Sequence, residues 1–417
     1  MKRSRGLRLI KNITSSFVVR FGNLLAMAVM IPIAVNGLDN TNYSTFAVLI
    51  SLSLAFTYAD FGIGSAVVNS IGKDTDSRVA IVLSTATSIL IMVAFISLIV
   101  MTVLYTMGVQ NSDTYLALFL MAINLPFAIV HKVLLGDGRK YFSDMCMLLA
   151  KIIGLLGVFL SAKNNMDLEW YLVSFFGSTF LINICAYIFF VFFDPKYRFS
   201  IDLIDNESVF PLLQAGAAFL SIQVAFYFVY SGDVVFLNGN FSADFVTAYD
   251  VCIRLFGYVP ALVSIAIIPV WPSFNEAIRS GDLKWMKKVY LWMTTGVVLI
   301  SMVSSVLIVV FLESIQEIWL GRTFDGPSLL VRQMIGGTMI LLALGSAQSM
   351  LMNSYGLIIY QAKVSIVFIV FIVFGKAYFS FNGDIEMFVI VGFVCTLMRV
   401  LAQLVGTMKA KNIIGKL

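Results

Sequence analysis

Four basic residues, Arg20, Lys151, Arg254 and Arg399, lie inside apolar stretches of this chain rather than between them. A cation at the centre of a membrane helix costs about 2.5–3.5 kcal/mol on insertion scales, so each needs a reason to be there. Three acids share these surroundings: Asp60, Asp233 and Asp250. Thr247, Asp250, Arg254 and Tyr258 follow a 3-4-4 spacing, which sets them on one helix face with Val251, Leu255 and Leu262 opposite. Ser53, Thr57 and Asp60 make a second polar stripe. Such stripes face a bundle interior or a water-filled cleft, not lipid. Guanidinium and ammonium groups there can bind phosphate, carboxylate or another anion through charge-assisted hydrogen bonds. Buried positive charge therefore points to the passage of a polar or anionic solute.

Depth ranks the four cations. Arg20 lies only a few residues into its stretch and can snorkel to the surface. Arg399 is about eight residues, roughly 12 Å, from the nearer end of its stretch, so it reaches the surface less easily; Arg20 and Arg399 stand as further candidate binding residues. Lys151 and Arg254 sit near the middle and are the leading binding residues, with Asp250, Asp60, Asp233 and Tyr258 beside them. Asp250 and Arg254 also have the i,i+4 spacing of a helical ion pair, so a structural and a substrate-facing role both stand. Tyr227, Tyr230 and Tyr258 are expected to pack, or to stack on a sugar. His131, the only histidine, adjoins Lys132 and is expected at the membrane surface.

Catalytic signatures are missing. There is no G-x-x-x-x-G-K-[ST], G-x-S-x-G or H-E-x-x-H pattern, and the four cysteines show neither a metal spacing nor a disulfide framework. The chain is expected to be a non-enzyme with no cofactor or metal. A coupling ion, proton or sodium, is the one small species to be considered. The longest outward gap, about 18 residues at 312–329, is short for a glycosyltransferase or polymerase, and its Glu313, Glu317 and Asp325 read as a solvated rim. The net charge of +5 reflects loops beside a membrane and does not indicate nucleic-acid binding.

Helices in a bilayer must position these groups. The chain has 417 residues, 60% of them hydrophobic and only 12% charged, against about 25% charged in soluble domains. Apolar runs at 16–37, 43–66, 79–106, 115–134, 142–162, 170–193, 209–237, 244–271, 287–311, 330–353, 357–375 and 386–407 predict an all-α integral membrane protein of twelve transmembrane helices. Pro32, Pro126 and Pro260 lie within spans and are expected to kink them. With the N-terminus inside, inward segments collect 20 of the 28 basic residues. Outward segments hold four: Lys163, Arg322, Arg332 and Lys376. That asymmetry predicts an N-in, C-in topology. The expected organisation is a basic cytoplasmic segment at 1–15, a six-helix bundle at 16–193, a linker at 194–208, a second bundle at 209–407 and a basic tail at 408–417. Asn42-Tyr43-Ser44-Thr45-Phe46 and Asp244-Phe245-Val246-Thr247-Ala248 open the second and eighth spans in matching fashion. The pattern fits two parallel repeats with a cationic cleft between bundles.

Short motifs, taken in order, resemble the Wzx-type O-antigen flippases of the multidrug/oligosaccharidyl-lipid/polysaccharide exporter superfamily. They include Asp60-Phe61-Gly62-Ile63-Gly64, Asp233, Tyr249, Trp271-Pro272 with Glu276 and Gly281-Asp282, Trp319-Leu320-Gly321 and Gln361-Ala362. Ser44 departs from the glycine common after the tyrosine. The resemblance implies flipping of undecaprenyl-pyrophosphate-linked O-antigen or polysaccharide repeat units across the bacterial cytoplasmic membrane, from its inner to its outer leaflet. It also implies membrane lipids, a polysaccharide polymerase and a chain-length regulator as partners. The alternative is a cation-coupled multidrug or metabolite exporter of the same superfamily. An O-antigen polymerase or membrane glycosyltransferase is the third class.

Overall fold

A computed structural model of the chain describes residues 2–57, 62–71, 76–137, 139–267, 270, 274, 277–278 and 281–414. Among them the structure is helical, with a single isolated bridge at Asn238 and Phe241. Twelve helical stretches follow the twelve expected spans in order. Nine helices in the described residues are long and apolar enough to cross a membrane, and the chain is a multi-pass membrane protein. In hydrocarbon each backbone N–H and C=O must be satisfied within its own segment, which the helix alone achieves for a single stretch of chain.

The chain divides into two compact units, Met1–Leu220 and Ser221–Leu417. The first holds α1 (Lys2–Gly37), α2 (Asn40–Thr57), α3 (Ile63–Ile71), α4 (Asp76–Thr106), α5 (Ser112–Gly136), α6 (Lys140–Lys163), α7 (Leu168–Leu172) and α8 (Ser178–Phe193). A π-helical turn, Val173–Gly177, joins α7 to α8. Within this unit α1 packs on α6, α4 on α5, and α5 on α8. The core includes Ile63, Val67, Leu83, Val130, Val133 and Leu134, all fully or nearly fully buried. Helix starts are marked by polar caps: Asp39 accepts the backbone N–H of Asn42 at 2.7 Å and Asn111 that of Thr114 at 2.9 Å. Large apolar side chains such as Ile91, Phe95 and Ile99 on α4 stay exposed along one stripe, as a lipid-facing helix requires. Gly62 has φ +73°, and a Cβ there would stand 2.1 Å from the carbonyl oxygen of Gly216. A side chain is excluded twice over, by the left-handed backbone and by the close approach.

The helix α9 (Asn206–Phe226) carries the boundary between the two units. The second unit continues through a π turn, Tyr227–Ser231, into α10 (Asp233–Leu237), α11 (Ala243–Ile267), α12 (Leu283–Val310), α13 (Leu312–Leu320), α14 (Leu329–Ser354), α15 (Ile358–Phe381) and α16 (Ile385–Ile414). Here α14 is central, packing on α11, α12 and α16, while α15 packs on α16. Gly321, at φ 72°, ends α13 in the left-handed conformation and donates to Glu317 O. Pro32, Pro126 and Pro260 each lie inside an unbroken helix.

Candidate functional site

The most deeply buried ion pair among the described residues lies in the second unit, and one of its members was expected elsewhere. Lys376 was assigned to an outward loop because the apolar run ends at residue 375. The helix α15 instead continues to Phe381, and Lys376 is 1% exposed. The run ended at the charge itself, not at the membrane surface. Lys376 Nζ donates to the Asp233 carboxylate, to Val229 O at 2.7 Å and to Phe228 O at 3.2 Å. Tyr249 on α11 donates its hydroxyl to the other Asp233 oxygen at 2.8 Å. The Phe388 ring lies 5.1 Å from the ammonium.

Local sequence explains how these groups converge. A π turn closes i→i+5 bonds and so inserts a residue into the helical register; here Gly232 N–H donates to Tyr227 O at 2.9 Å. The Phe228 and Val229 carbonyls and the Asp233 carboxylate thereby meet the same lysine. On α16, Gly392 leaves space: a Cβ there would be 3.1 Å from Lys376 Cε and 3.3 Å from Nζ. A cavity of about 10 Å³ beside the pair has room for no more than about one water molecule.

The predicted stripe on α11 is present, but its contrast is not. Asp250 accepts from Arg254 Nε at 2.6 Å, giving an i,i+4 ion pair with a buried carboxylate and a mostly covered guanidinium. Thr247 is buried, and the Tyr258 ring meets Trp319 edge-on at 6.1 Å. Of the face expected to be apolar and outward, Val251 and Leu255 are buried and Leu262 is exposed. The reason is that α11 packs on both α12 and α14, so most of its circumference is covered. Tyr249 and Asp250, adjacent in sequence, point about 100° apart on the helix and serve two separate carboxylate–cation pairs.

Arg399 also differs from expectation. Depth alone allowed it to reach toward the surface, yet it is 1% exposed on α16, beside Gly345 of α14 and Gln403 of its own helix. It does not snorkel. Gln348, one turn from Gly345, is fully buried with both side-chain polar atoms lacking hydrogen-bond partners.

In the first unit, Lys151 lies on α6 with its ammonium 4.3 Å from the centre of the Phe175 ring. Phe175 belongs to the π turn and meets Phe46 and Phe176 edge-on. Lys151 makes no ion pair with any described residue. The Asp60 position and the Arg20 side chain lie outside the described residues, as do Trp271, Pro272 and Glu276. His131 was expected at the membrane surface but is buried: Asn183 donates to Asn124 Oδ1 at 2.9 Å, which leaves Asn183 Oδ1 to accept from His131 Nε2 at 2.8 Å. Its neighbour Lys132 made it look interfacial, whereas its side chain turns to the α8 amide.

Loops carry their own ionic contacts. Asp137 accepts from Lys196 and from the Tyr197 hydroxyl, while Arg139 bridges to Asp194 at 2.8 Å. Burial, reinforced by the bond to Asp137, pushes the Tyr197 phenol well above its usual value. At the far loop Glu313, expected as a solvated rim residue, pairs with Arg332 at 2.6 Å. A backbone hydrogen bond and this guanidinium hold its carboxyl below the ordinary range. A hollow of about 560 Å³ between α15 and α16 is lined by apolar residues such as Phe371, Phe374 and Val394 and belongs to the lipid-facing surface.

Three solved structures resemble this arrangement over nearly its whole length. A multidrug resistance MATE family transporter of the MOP superfamily, inward-facing, superposes with a TM-score of 0.71 at 13% identity, covering 95% of this chain and 99% of the other. Its outward-facing counterpart gives 0.65 at 12%, covering 98% and 96%. A MOP superfamily transporter from Pyrococcus furiosus, described by the reverse polarity of its binding pocket, gives 0.61 at 13%, covering 98% and 95%. This chain has the MATE fold. No protein-family model matches the sequence, and no curated protein matches it.

Set against the MATE fold, the predicted residues sort into groups. The structure brings Asp233 to Tyr249 and Lys376, and Asp250 to Arg254; Lys151 belongs to the other unit, and Arg399 sits at α14. The residue that sequence reasoning missed is Lys376. A signal existed: Asp233 inside a span demands a buried cation, and Lys376 sits just past the end of another apolar run.

Proposed function

We propose that this chain is a secondary transporter of the MOP superfamily whose cargo carries negative charge. The observation that carries this is Lys151, a cation inside the first unit with an aromatic face beneath it and no carboxylate among the described residues to neutralise it. A cation kept in the membrane without an internal counter-ion is best explained by a counter-ion that comes and goes. The fold supports transport by alternating access, since neighbours of the same fold have been captured inward- and outward-facing.

The comparisons favour a drug or metabolite exporter over a polysaccharide flippase, because those neighbours are described as multidrug resistance transporters. The Pyrococcus furiosus neighbour, described by a pocket of reverse polarity, fits an interior built around cations. Flipping of undecaprenyl-pyrophosphate-linked O-antigen units in a bacterial inner membrane, with a polymerase and chain-length regulator as partners, is the second reading. Lys151 favours it to this extent: a pyrophosphate is an anionic head that an ammonium over an aromatic ring can hold. The energy source is a proton or sodium gradient or, on the flippase reading, consumption of the product outside.

The test is a gene deletion complemented with wild-type or Lys151→Met protein, both checked for equal membrane insertion. Loss of wild-type protein should raise cell retention of an anionic amphiphilic dye, and Lys151→Met should fail to reverse it. Inner-leaflet accumulation of lipid-linked repeat units in the deletion would decide for the flippase. Full activity of Lys151→Met toward every anionic cargo would end the proposal.

A further inference from the structure

The surroundings of Lys376 are those of a bound metal cation. One full negative charge comes from Asp233, and two carbonyl dipoles come from Phe228 and Val229 in the π turn. Unwound helical carbonyls together with a carboxylate are the donors that membrane transporters present to a small monovalent cation. Hard cations take oxygen ligands of this kind. The remaining side of the ammonium is covered by the Phe388 ring and by Gly392, where a side chain would crowd it. Tyr249 satisfies the second carboxylate oxygen, so that Asp233 is held in place from behind.

A simple ion pair needs none of this beyond Asp233. To neutralise one buried acid, a lysine requires no π turn aimed at it and no glycine opposite its terminal carbon. We propose that this cage is a monovalent-cation site whose occupant is supplied by the chain: Lys376 Nζ stands where a free sodium or potassium ion would be held. The charges balance, one carboxylate against one ammonium, with no vacancy for a soluble ion. Because the ammonium is tethered to α15, it cannot exchange with solution as an ion would. This site therefore does not take up a soluble sodium or potassium ion in the native protein, and any coupling to such an ion resides elsewhere in the chain.

The test uses the full-length protein in detergent, with thermal unfolding followed in sodium, potassium or methylammonium chloride against choline chloride at equal ionic strength. Any response of wild type to sodium, potassium or methylammonium should be unchanged by Asp233→Asn, because its cage is already filled. Lys376→Ala should melt lower in choline and gain a saturable rise with sodium, potassium or methylammonium, as expected when a ligand binds only the folded state. That rise should vanish in the Asp233→Asn/Lys376→Ala double variant. Stabilisation of wild type by sodium or potassium that Asp233→Asn abolishes would overturn the proposal, since the lysine would then not be the occupant. So would a Lys376→Ala protein indifferent to all small cations. If Lys376→Ala fails to accumulate even when extracted in these cations, while Asp233→Asn/Lys376→Met accumulates normally, the lysine is only a neutraliser and the proposal fails equally.

Discussion

Two lysines sit inside the helical units, and their surroundings are opposites. Lys376 is closed in on every side by a carboxylate, two carbonyls and a ring. Lys151 has a ring and, among the described residues, no carboxylate. Both face the cost of holding an ammonium away from water, which in a protein interior amounts to several kcal/mol per ion after relaxation. The second unit meets that cost within itself, and its cation becomes part of the architecture. The first unit leaves most of it unmet, which is tolerable only if something else completes the site part of the time. A fully satisfied buried charge holds a fold together; a partly satisfied one is available for binding.

The largest effect should come from breaking the satisfied pair. Removing one partner of a buried ion pair typically costs about 3–5 kcal/mol, because the other charge is left stranded. Asp233→Asn and Lys376→Met, each alone, are expected to lower stability by about this amount, measured by thermal unfolding in choline salt. The double variant should recover most of the loss, since neither charge then remains. Tyr249→Phe should cost less, about 1.5–3 kcal/mol for one hydrogen bond to a charged group. If the double variant were no more stable than either single one, the pair would not be the self-contained unit that the contrast with Lys151 requires.

Lys151 should behave in the reverse sense. Lys151→Met removes a desolvated cation and keeps the apolar stem, so folding stability is expected to stay within about 1 kcal/mol of wild type or to rise. Transport of an anionic cargo should fall at least tenfold, equivalent to about 1.4 kcal/mol. Lys151→Arg should retain part of the activity, because a guanidinium keeps the charge and stacks on the Phe175 ring. Flux assays in proteoliposomes beside thermal unfolding of the same samples would separate the two quantities. A Lys151→Met protein that loses stability and keeps its transport would erase the distinction between the lysines.

How much of this was legible in sequence depended on the distance between partners. The twelve helical stretches follow from hydropathy, because each is settled within its own window of about 20 residues. The Asp250–Arg254 pair is four residues apart, and helix geometry alone brings the two together. Asp233 and Lys376 are 143 residues apart, and no local pattern joins them. The charge ledger even counted Lys376 against the membrane, since a window ends where a charge begins. Arg399 shows the same limit: depth along a helix says how far a side chain must reach, but not whether a neighbouring helix stands in the way. Nor does periodicity reveal the π turns, which insert their extra residue without any signature in residue type.

Intermediate between the two lysines is Arg254, paired with Asp250 but only partly covered. Arg254→Ala should lower stability less than Lys376→Met, because removing the partly exposed guanidinium opens a path for water to the buried carboxylate. A double-mutant cycle with Asp250→Asn should give a coupling above the roughly 0.3–0.5 kcal/mol of an exposed helical pair and below the roughly 3–5 kcal/mol lost when one partner of a buried pair is removed, about 1–3 kcal/mol. If transport survives Arg254→Ala while this coupling is large, the pair belongs with Lys376 as architecture. If transport is lost and the coupling is small, it belongs with Lys151.

The smallest effect marks the far end of the series, where the same pairing chemistry meets solvent. Glu313 and Arg332 are 2.6 Å apart, yet the Glu313 side chain is 55% exposed. Exposed pairs contribute about 0.2–1 kcal/mol, and screening places this one toward the lower end. Its carboxyl is held below the usual value by a backbone hydrogen bond and by the guanidinium. A folded-state value below the unfolded one means that the stabilisation is present above the ordinary glutamate range and fades as pH falls through the lowered value. Glu313→Gln should therefore cost a few tenths of a kcal/mol near neutral pH and nothing once the wild-type carboxyl is protonated. The two melting curves should converge in acid and diverge slightly above it, and added salt should narrow the gap. A gap as large as that of Asp233→Asn would show that burial is not what separates the ion pairs of this protein.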